Sequence, residues 1–234
     1  VIPSITTEND IVISDRLNHA SIIEGARLSS AKSVMYKHNN MTSLEQKLRL
    51  STDAETRLIV VDGIFSMEGD IAKLPEITQL AQKYNAVVMC DCAHAIGVIG
   101  ENGSGTASHF GIIDQVDLIG GTLSKSLASL GGFVASDVKT INYIKHHARS
   151  LIFSASPTPA SVAAALAALD LIESDSSLID EVNKKSKYAI KKLNAMGFDT
   201  GKAETPIIPI YIRNEETTYR LTSLLLKKGV FVNA

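Results

Sequence analysis

Tryptophan is absent, aromatic residues make up 5% of the chain, and cysteine occurs only at Cys90 and Cys92. Two cysteines two positions apart cannot build a disulfide framework and suit a reducing, cytoplasmic setting. No apolar run approaches the ~20 residues of a membrane-spanning helix. A formal charge of -2 leaves no long-range field suited to a polyanion, which argues against a nucleic-acid partner. The opening "VIPSITTEND" lacks the basic and then apolar regions of a signal peptide. It also lacks an initiator methionine, and the chain stops after "KKGVFVNA", so both ends are expected to have been cut within a larger protein.

What is present is an ordinary globular composition, with 234 residues, 45% hydrophobic and 21% charged. That is enough chain for one large core or two modest domains. "TRLIVVDGIFS" reads as a short buried strand, "LPEITQLAQKYN" as a helix opened near Pro75, and "AVVMCDCAHAIG" as a second strand over about 86–92. "QVDLIGGTLSKSL" and "GGFVASD" add two more strands, the first around Val116 to Gly120. Apolar strands separated by a helix and glycine-rich turns imply an α/β fold with a mainly parallel sheet. "TPASVAAALAALDLIES" predicts a long helix with Pro159 in its first turn. From about Ser176 the texture changes to a charged helix capped near Gly197, a strand at "TPIIPIYI", a further helix and a strand at "VFVNA". The expected division is a large domain over 1–175 and the start of a smaller α+β domain over 176–234.

Strand alternation puts Cys90 and Cys92 on one face and Asp91 on the other, at the carboxyl end of its strand. Ligands in open α/β sheets bind at that edge, so Asp91 and His94 occupy favourable ground. This stretch alone still favours a plain turn cap and a core histidine, and only the hydroxyl-flanked Lys125 downstream turns the balance toward function. A zinc reading of Cys90, Cys92 and His94 is weaker than buried structural thiols, because three nearby donors do not close a tetrahedral site. "LIGGTLSKSLASLGGFVAS" sets Lys125 between hydroxyls, with Thr122, Ser124 and Ser126 beside it and Gly121, Gly131 and Gly132 allowing tight turns. Hydroxyls and free N–H groups suit a phosphate, and an amine among them suits Schiff-base chemistry. The glycine spacing is not that of a GxxxxGK[ST] phosphate loop.

"VVMCDCAHAIGVIGENGSGTASHFG", "VDLIGGTLSKSLASLGGFVAS" and "ARSLIFSASPTPA" together resemble the α-oxoamine synthases, fold-type I pyridoxal-phosphate enzymes that condense an amino acid with an acyl thioester. The resemblance starts at "DRLNHASIIEGARLS" and "YKHNN" and covers nearly the whole chain. It implies a fold-type I large domain, pyridoxal 5'-phosphate as cofactor and no metal. Lys125 would carry the cofactor covalently, Asp91 would pair with its pyridinium nitrogen, and His94 would contact its phenolic oxygen. Thr122 and Ser124 would hold its phosphate, and Ser66 would lie near the ring. Ser154 would reach the phosphate of a neighbouring subunit, which implies a homodimer with shared active sites.

Within the family, "TLSKSLASLGGFVA" and "GVFVN" most resemble the members that join L-serine to a long-chain acyl-CoA, giving 3-oxosphinganine, CoA and CO2 in sphingolipid metabolism. Relatives making 8-amino-7-oxononanoate, or transferring acetyl to glycine, more often carry Gly where Ser124 stands. A non-catalytic interaction subunit is the alternative of another class, and an aldimine-forming lysine argues against it. Cys92 replaces the acidic residue of the family's common "DEAH". The ring-stacking histidine is expected upstream of residue 1, and the carboxylate-binding arginine beyond Ala234.

Overall fold

The computed structural model describes residues 1–234. The chain runs through α1 (Ile2–Ile5), β1 (Ile11–Asp15), α2 (Ala20–Arg27), β2 (Lys32–Tyr36), α3 (Met41–Arg49), β3 (Arg57–Asp62), α4 (Leu74–Tyr84) and β4 (Val87–Asp91). It continues with α5 (Thr106–His109), β5 (Leu118–Thr122), β6 (Gly132–Ala135), α6 (Val138–His147), α7 (Arg149–Ile152), α8 (Pro159–Ser174), α9 (Ser177–Ala195) and α10 (Glu215–Lys227). One six-stranded sheet has the order β2-β1-β3-β4-β5-β6; only β6 is antiparallel.

The two faces of this sheet are written in strand alternation. On β3, Ile59 and Val61 enter a core of 20 buried residues shared with Leu44 and Leu48 of α3 and Leu74 and Ile77 of α4. Leu58 and Val60 point the other way, into a core of 11 with Ile22 of α2 and Ile144 of α6. Two-sided burial explains why these strands read as continuous apolar runs rather than as alternating ones. After β1 the chain steps to β2 on one side, and from β3 onward it steps to the other. That reversal opens a crevice at the carboxyl edge between β1 and β3, where a sheet of this kind receives its ligand.

The strands expected at "TPIIPIYI" and "VFVNA" do not form; neither segment joins a ladder. A strand is held by a run of a neighbour's N–H and C=O groups, and "TPIIPIYI" makes only isolated backbone contacts, such as the Tyr211 N–H to the Asp199 carbonyl at 2.9 Å. Instead, residues 204–207 dock on the turn after β3. Thr205 Oγ1 donates to the Gly69 carbonyl at 2.8 Å, and the Ile71 N–H donates to Glu204 Oε1 at 3.0 Å. Gly197 follows α9 at φ +86, as its capping role requires.

The docking explains Gly69. Its φ is +69, and a Cβ there would fall on the Ile207 carbonyl oxygen. Gly69→Ala is expected to destabilise the protein by about 1–3 kcal/mol through the left-handed backbone, with the collision adding to that. A urea unfolding midpoint equal to that of the unsubstituted protein would contradict this.

A buried ion network secures the same carboxyl edge. His38 Nδ1 lies 3.1 Å from Asp15 Oδ1, and Nε2 lies 2.9 Å from Asp70 Oδ2. Both carboxylates are nearly inaccessible, with side-chain exposures of 0% and 9%. Each ring nitrogen therefore donates a proton, which defines an imidazolium. Burial alone would lower the His38 pKa, but hydrogen bonds and charge from Asp15 and Asp70 outweigh it and raise the pKa to about 9.

Candidate active site

A cavity of about 470 Å³ opens at the carboxyl edge of the parallel strands. Asp62 ends β3, Asp91 ends β4, and Thr122 ends β5; all three line it, and Asp62 and Asp91 are direct partners in the parallel register. The loop between β5 and β6 brings Ser124 and Lys125 to the same wall, and His94 enters from the turn after β4. A larger cavity of about 620 Å³ sits at the opposite edge, around Thr56, Val87 and Leu118. It gathers no comparable set of amine, imidazole and hydroxyl groups.

The loop geometry is specified locally. The Leu123 N–H donates to the Gly131 carbonyl at 3.0 Å and the Ser129 N–H to the Leu123 carbonyl at 2.8 Å, which closes the loop on itself. Gly131 takes φ +112, and Gly121 leaves the space that the Phe133 ring fills. Leu127 is buried at 2% exposure, and Ser126 Oγ donates to the Ile96 carbonyl at 2.7 Å. These anchors pin both sides of Lys125 while the lysine itself stays exposed to the cavity. Thr122 Oγ1 and Ser124 Oγ lie 2.8 Å apart, and the Ser124 N–H donates to Thr122 Oγ1 at 3.2 Å.

Asp91 Oδ1 accepts from the Ala93 N–H at 2.9 Å, fixing one oxygen and leaving the other available. Partial burial lowers the His94 pKa, and the nearby Lys125 and His19 charges push the same way, so the ring is neutral at pH 7. Asp62 moves in the opposite direction. Burial raises it to about 7; Asp91 and Asp15 add to the rise, while the His19 N–H and Lys125 oppose it.

Five expected site residues thus meet on one wall: Asp91, His94, Thr122, Ser124 and Lys125. Ser66 and Ser154 do not line it. The chain after β3 folds back through an Ile64–Ile71 bridge and carries Ser66 away from the strand end. Ser154 is exposed just after α7. Cys90 and Cys92 do share a face: both are core residues, with sulfurs 3.8 Å apart. No group of three or more His, Cys, Asp or Glu side chains is placed to hold a metal ion.

Three polar cavity residues were missed by sequence reasoning: His19, Ser21 and Asp62. The ring-stacking histidine was expected outside residues 1–234, yet an imidazole stands on the cavity wall within them, in the "NHAS" that follows β1. The signal for Asp62 was its position at a strand end, the same signal that singled out Asp91.

The donor set fits pyridoxal phosphate. It supplies an amine, a carboxylate, a neutral imidazole and paired hydroxyls on a single wall, beside glycines that let backbone approach closely. The sequence matches the family described as aminotransferase class I and II across residues 1–234, and the chain belongs to that family. It is 54% identical over 225 residues to a serine palmitoyltransferase of Sphingobacterium spiritivorum, covering 96% of this chain and 56% of that protein. It is also 44% identical over 234 residues to an 8-amino-7-oxononanoate synthase of Thermosipho melanesiensis, covering 100% of this chain and 60% of that protein. A solved serine palmitoyltransferase from S. paucimobilis with a bound PLP–myriocin aldimine superposes with a TM-score of 0.94 at 31% identity. That match covers 100% of this chain and 61% of the other. The chain spans less than two thirds of the length of these relatives.

Proposed function

We propose that the protein is a pyridoxal-phosphate-dependent acyltransferase that condenses L-serine with a long-chain acyl-CoA. CoA and CO2 leave, and 3-oxosphinganine is the product. The observation that carries the reading is the convergence of Lys125, Asp91, His94, Thr122 and Ser124 on one cavity wall.

When bound, the cofactor supplies an electron sink for the carbanion formed at the substrate α-carbon. Lys125 Nζ would hold it covalently, and the same amine, when free, would serve as the base at the substrate α-carbon. Asp91 favours the protonated pyridine nitrogen, because opposite charges at close range stabilise one another. Neutral His94 donates to the ring oxygen and helps orient the thioester carbonyl. Thr122 and Ser124 would hold the phosphate, and Ser66 would lie near the ring.

Asp91→Asn keeps the shape but removes the charge. In an active, full-length protein, kcat is expected to fall on the order of 10²–10³-fold. Turnover within a few fold of the parent would remove Asp91 from the mechanism.

Serine is favoured by the similarity to serine palmitoyltransferase; the similarity to 8-amino-7-oxononanoate synthase supports the second reading, the same chemistry on another amino acid and acyl donor. Full-length protein assayed with serine, glycine and alanine against short- and long-chain acyl donors separates the two. Preference for alanine with a pimeloyl donor, or for glycine with acetyl-CoA, would overturn the serine reading.

We further propose a homodimer in the cytoplasm, with a large domain over 1–175 and the start of a smaller one over 176–234. Exposed Leu151, Ile152 and Phe153 precede Ser154, and α8 exposes Val162, Leu166, Leu169 and Leu171, apolar surface of the kind that association buries. Ser154 then reaches the phosphate of the second subunit. No helix is long and apolar enough to cross a membrane.

A further inference from the structure

His19 is built into the cavity wall by three contacts that the proposed reaction does not use. It is the N-cap of α2, and the Ser21 N–H donates to its Nδ1 at 3.2 Å. Ser21 Oγ lies 2.8 Å from the same nitrogen. The His19 backbone N–H donates to Asp62 Oδ2 at 2.7 Å, and the Asp62 N–H in turn donates to Asn18 Oδ1 at 2.9 Å. Residues 18 and 19 are thereby fastened to the end of β3 at the point where the sheet order reverses.

A backbone N–H can only donate. Its approach to Nδ1 makes that nitrogen an acceptor, so the ring proton of the neutral form belongs on Nε2. The Ser21 hydroxyl is then free to donate to Nδ1 as well. We propose that Ser21 and Asp62 are positioning residues that hold His19 in the cavity as its Nε2–H tautomer, a hydrogen-bond donor and not a base. The inference deepens the cofactor-site reading, since a donor-only imidazole leaves proton abstraction to Lys125.

Asp62 is suited to anchoring because its oxygen accepts the His19 N–H whether or not the carboxyl is ionised. The groups facing it are Asp91 from β4, Lys125 from the loop after β5, Asp15 from β1 and His19 itself. Asp62→Asn can present an amide oxygen to the same N–H, whereas Asp62→Ala cannot. This pair separates anchoring from charge.

The test is nitrogen NMR on full-length protein labelled at histidine, without added cofactor, at pH 8, where a free imidazole is neutral. His19→Gln assigns the His19 signals among the six histidines of the chain. The expected result is a pyridine-like Nδ1 and a pyrrole-like Nε2. Ser21→Ala and Asp62→Ala should each lower the tautomer ratio by about fivefold, the scale of one hydrogen bond, and Asp62→Asn should restore it. A protonated Nδ1 in the parent protein, or a ratio unmoved by both alanine variants, would overturn the proposal. Borohydride trapping of pyridoxal phosphate reads the cofactor assignment separately. Loss of that label with the tautomer intact would sink the cofactor reading and leave this one standing.

Discussion

Replacing Lys125 with alanine is expected to abolish covalent cofactor attachment and lower turnover by roughly 10³-fold or more, because nucleophile and base are lost together. Lys125 is the only lysine lining the cavity, so no neighbouring amine can take its place. The fold should not notice. The Lys125 side chain is exposed, and the loop is held by Leu127, Ser126 and the Leu123–Gly131 hydrogen bond rather than by the amine. An exposed substitution of this kind usually changes stability by no more than about 0.5 kcal/mol. Borohydride reduction and peptide mapping should place the pyridoxyl group on Lys125 in the parent protein and nowhere in the variant. A label on another lysine, or an active Lys125→Ala protein with unchanged spectra, would refute the assignment.

The second large effect concerns stability. His38→Leu strands Asp15 and Asp70 as buried carboxylates without their cation, and breaking a buried pair in this way costs about 3–5 kcal/mol. The pH dependence has a definite sign. The His38 pKa is raised from 6.5 to about 9 on folding, so its stabilising contribution is complete below 6.5 and is lost as pH rises through 9. A shift of that size corresponds to at most about 3 kcal/mol across the window. Urea unfolding between pH 6.5 and 9.5 should therefore show falling stability in the parent protein and a flatter profile in His38→Leu. A parent profile that is flat, or that rises with pH, would show that the imidazolium is not the form held between the two carboxylates.

Much of the fold was legible because two-sided burial imposes a simple code. β3, β4 and β5 read as apolar runs ending in polar residues, and the structure sets their ends at Asp62, Asp91 and Thr122. Pro75 and Pro159 do lie in the first turns of α4 and α8. β1 and β2 escaped notice. "IVISD" has only three consecutive apolar residues before it turns polar, and "KSVMY" is an edge strand with a mostly exposed, mixed pattern that periodicity does not distinguish from a loop. The two tail strands failed for the opposite reason. Their β-branched composition fits a pleated surface, but composition brings no partner.

The site divides along the same line. Lys125, Thr122 and Ser124 lie within four residues of one another, and Asp91 and His94 lie three apart, so local spacing was enough to find each group. His19 and Asp62 are 43 residues apart and meet only because β1 and β3 pair in register. His38 likewise owes its charge to Asp15 and Asp70, 23 and 32 residues away.

The sequence by itself determined which side chains could do chemistry and on which strand ends they stand, because backbone periodicity and turn residues act over a few positions. Only the tertiary structure decided which of those strand ends adjoin. That adjacency sets the raised pKa of Asp62 and the charge of His38, because burial and electrostatic interaction depend on distance in space and not along the chain.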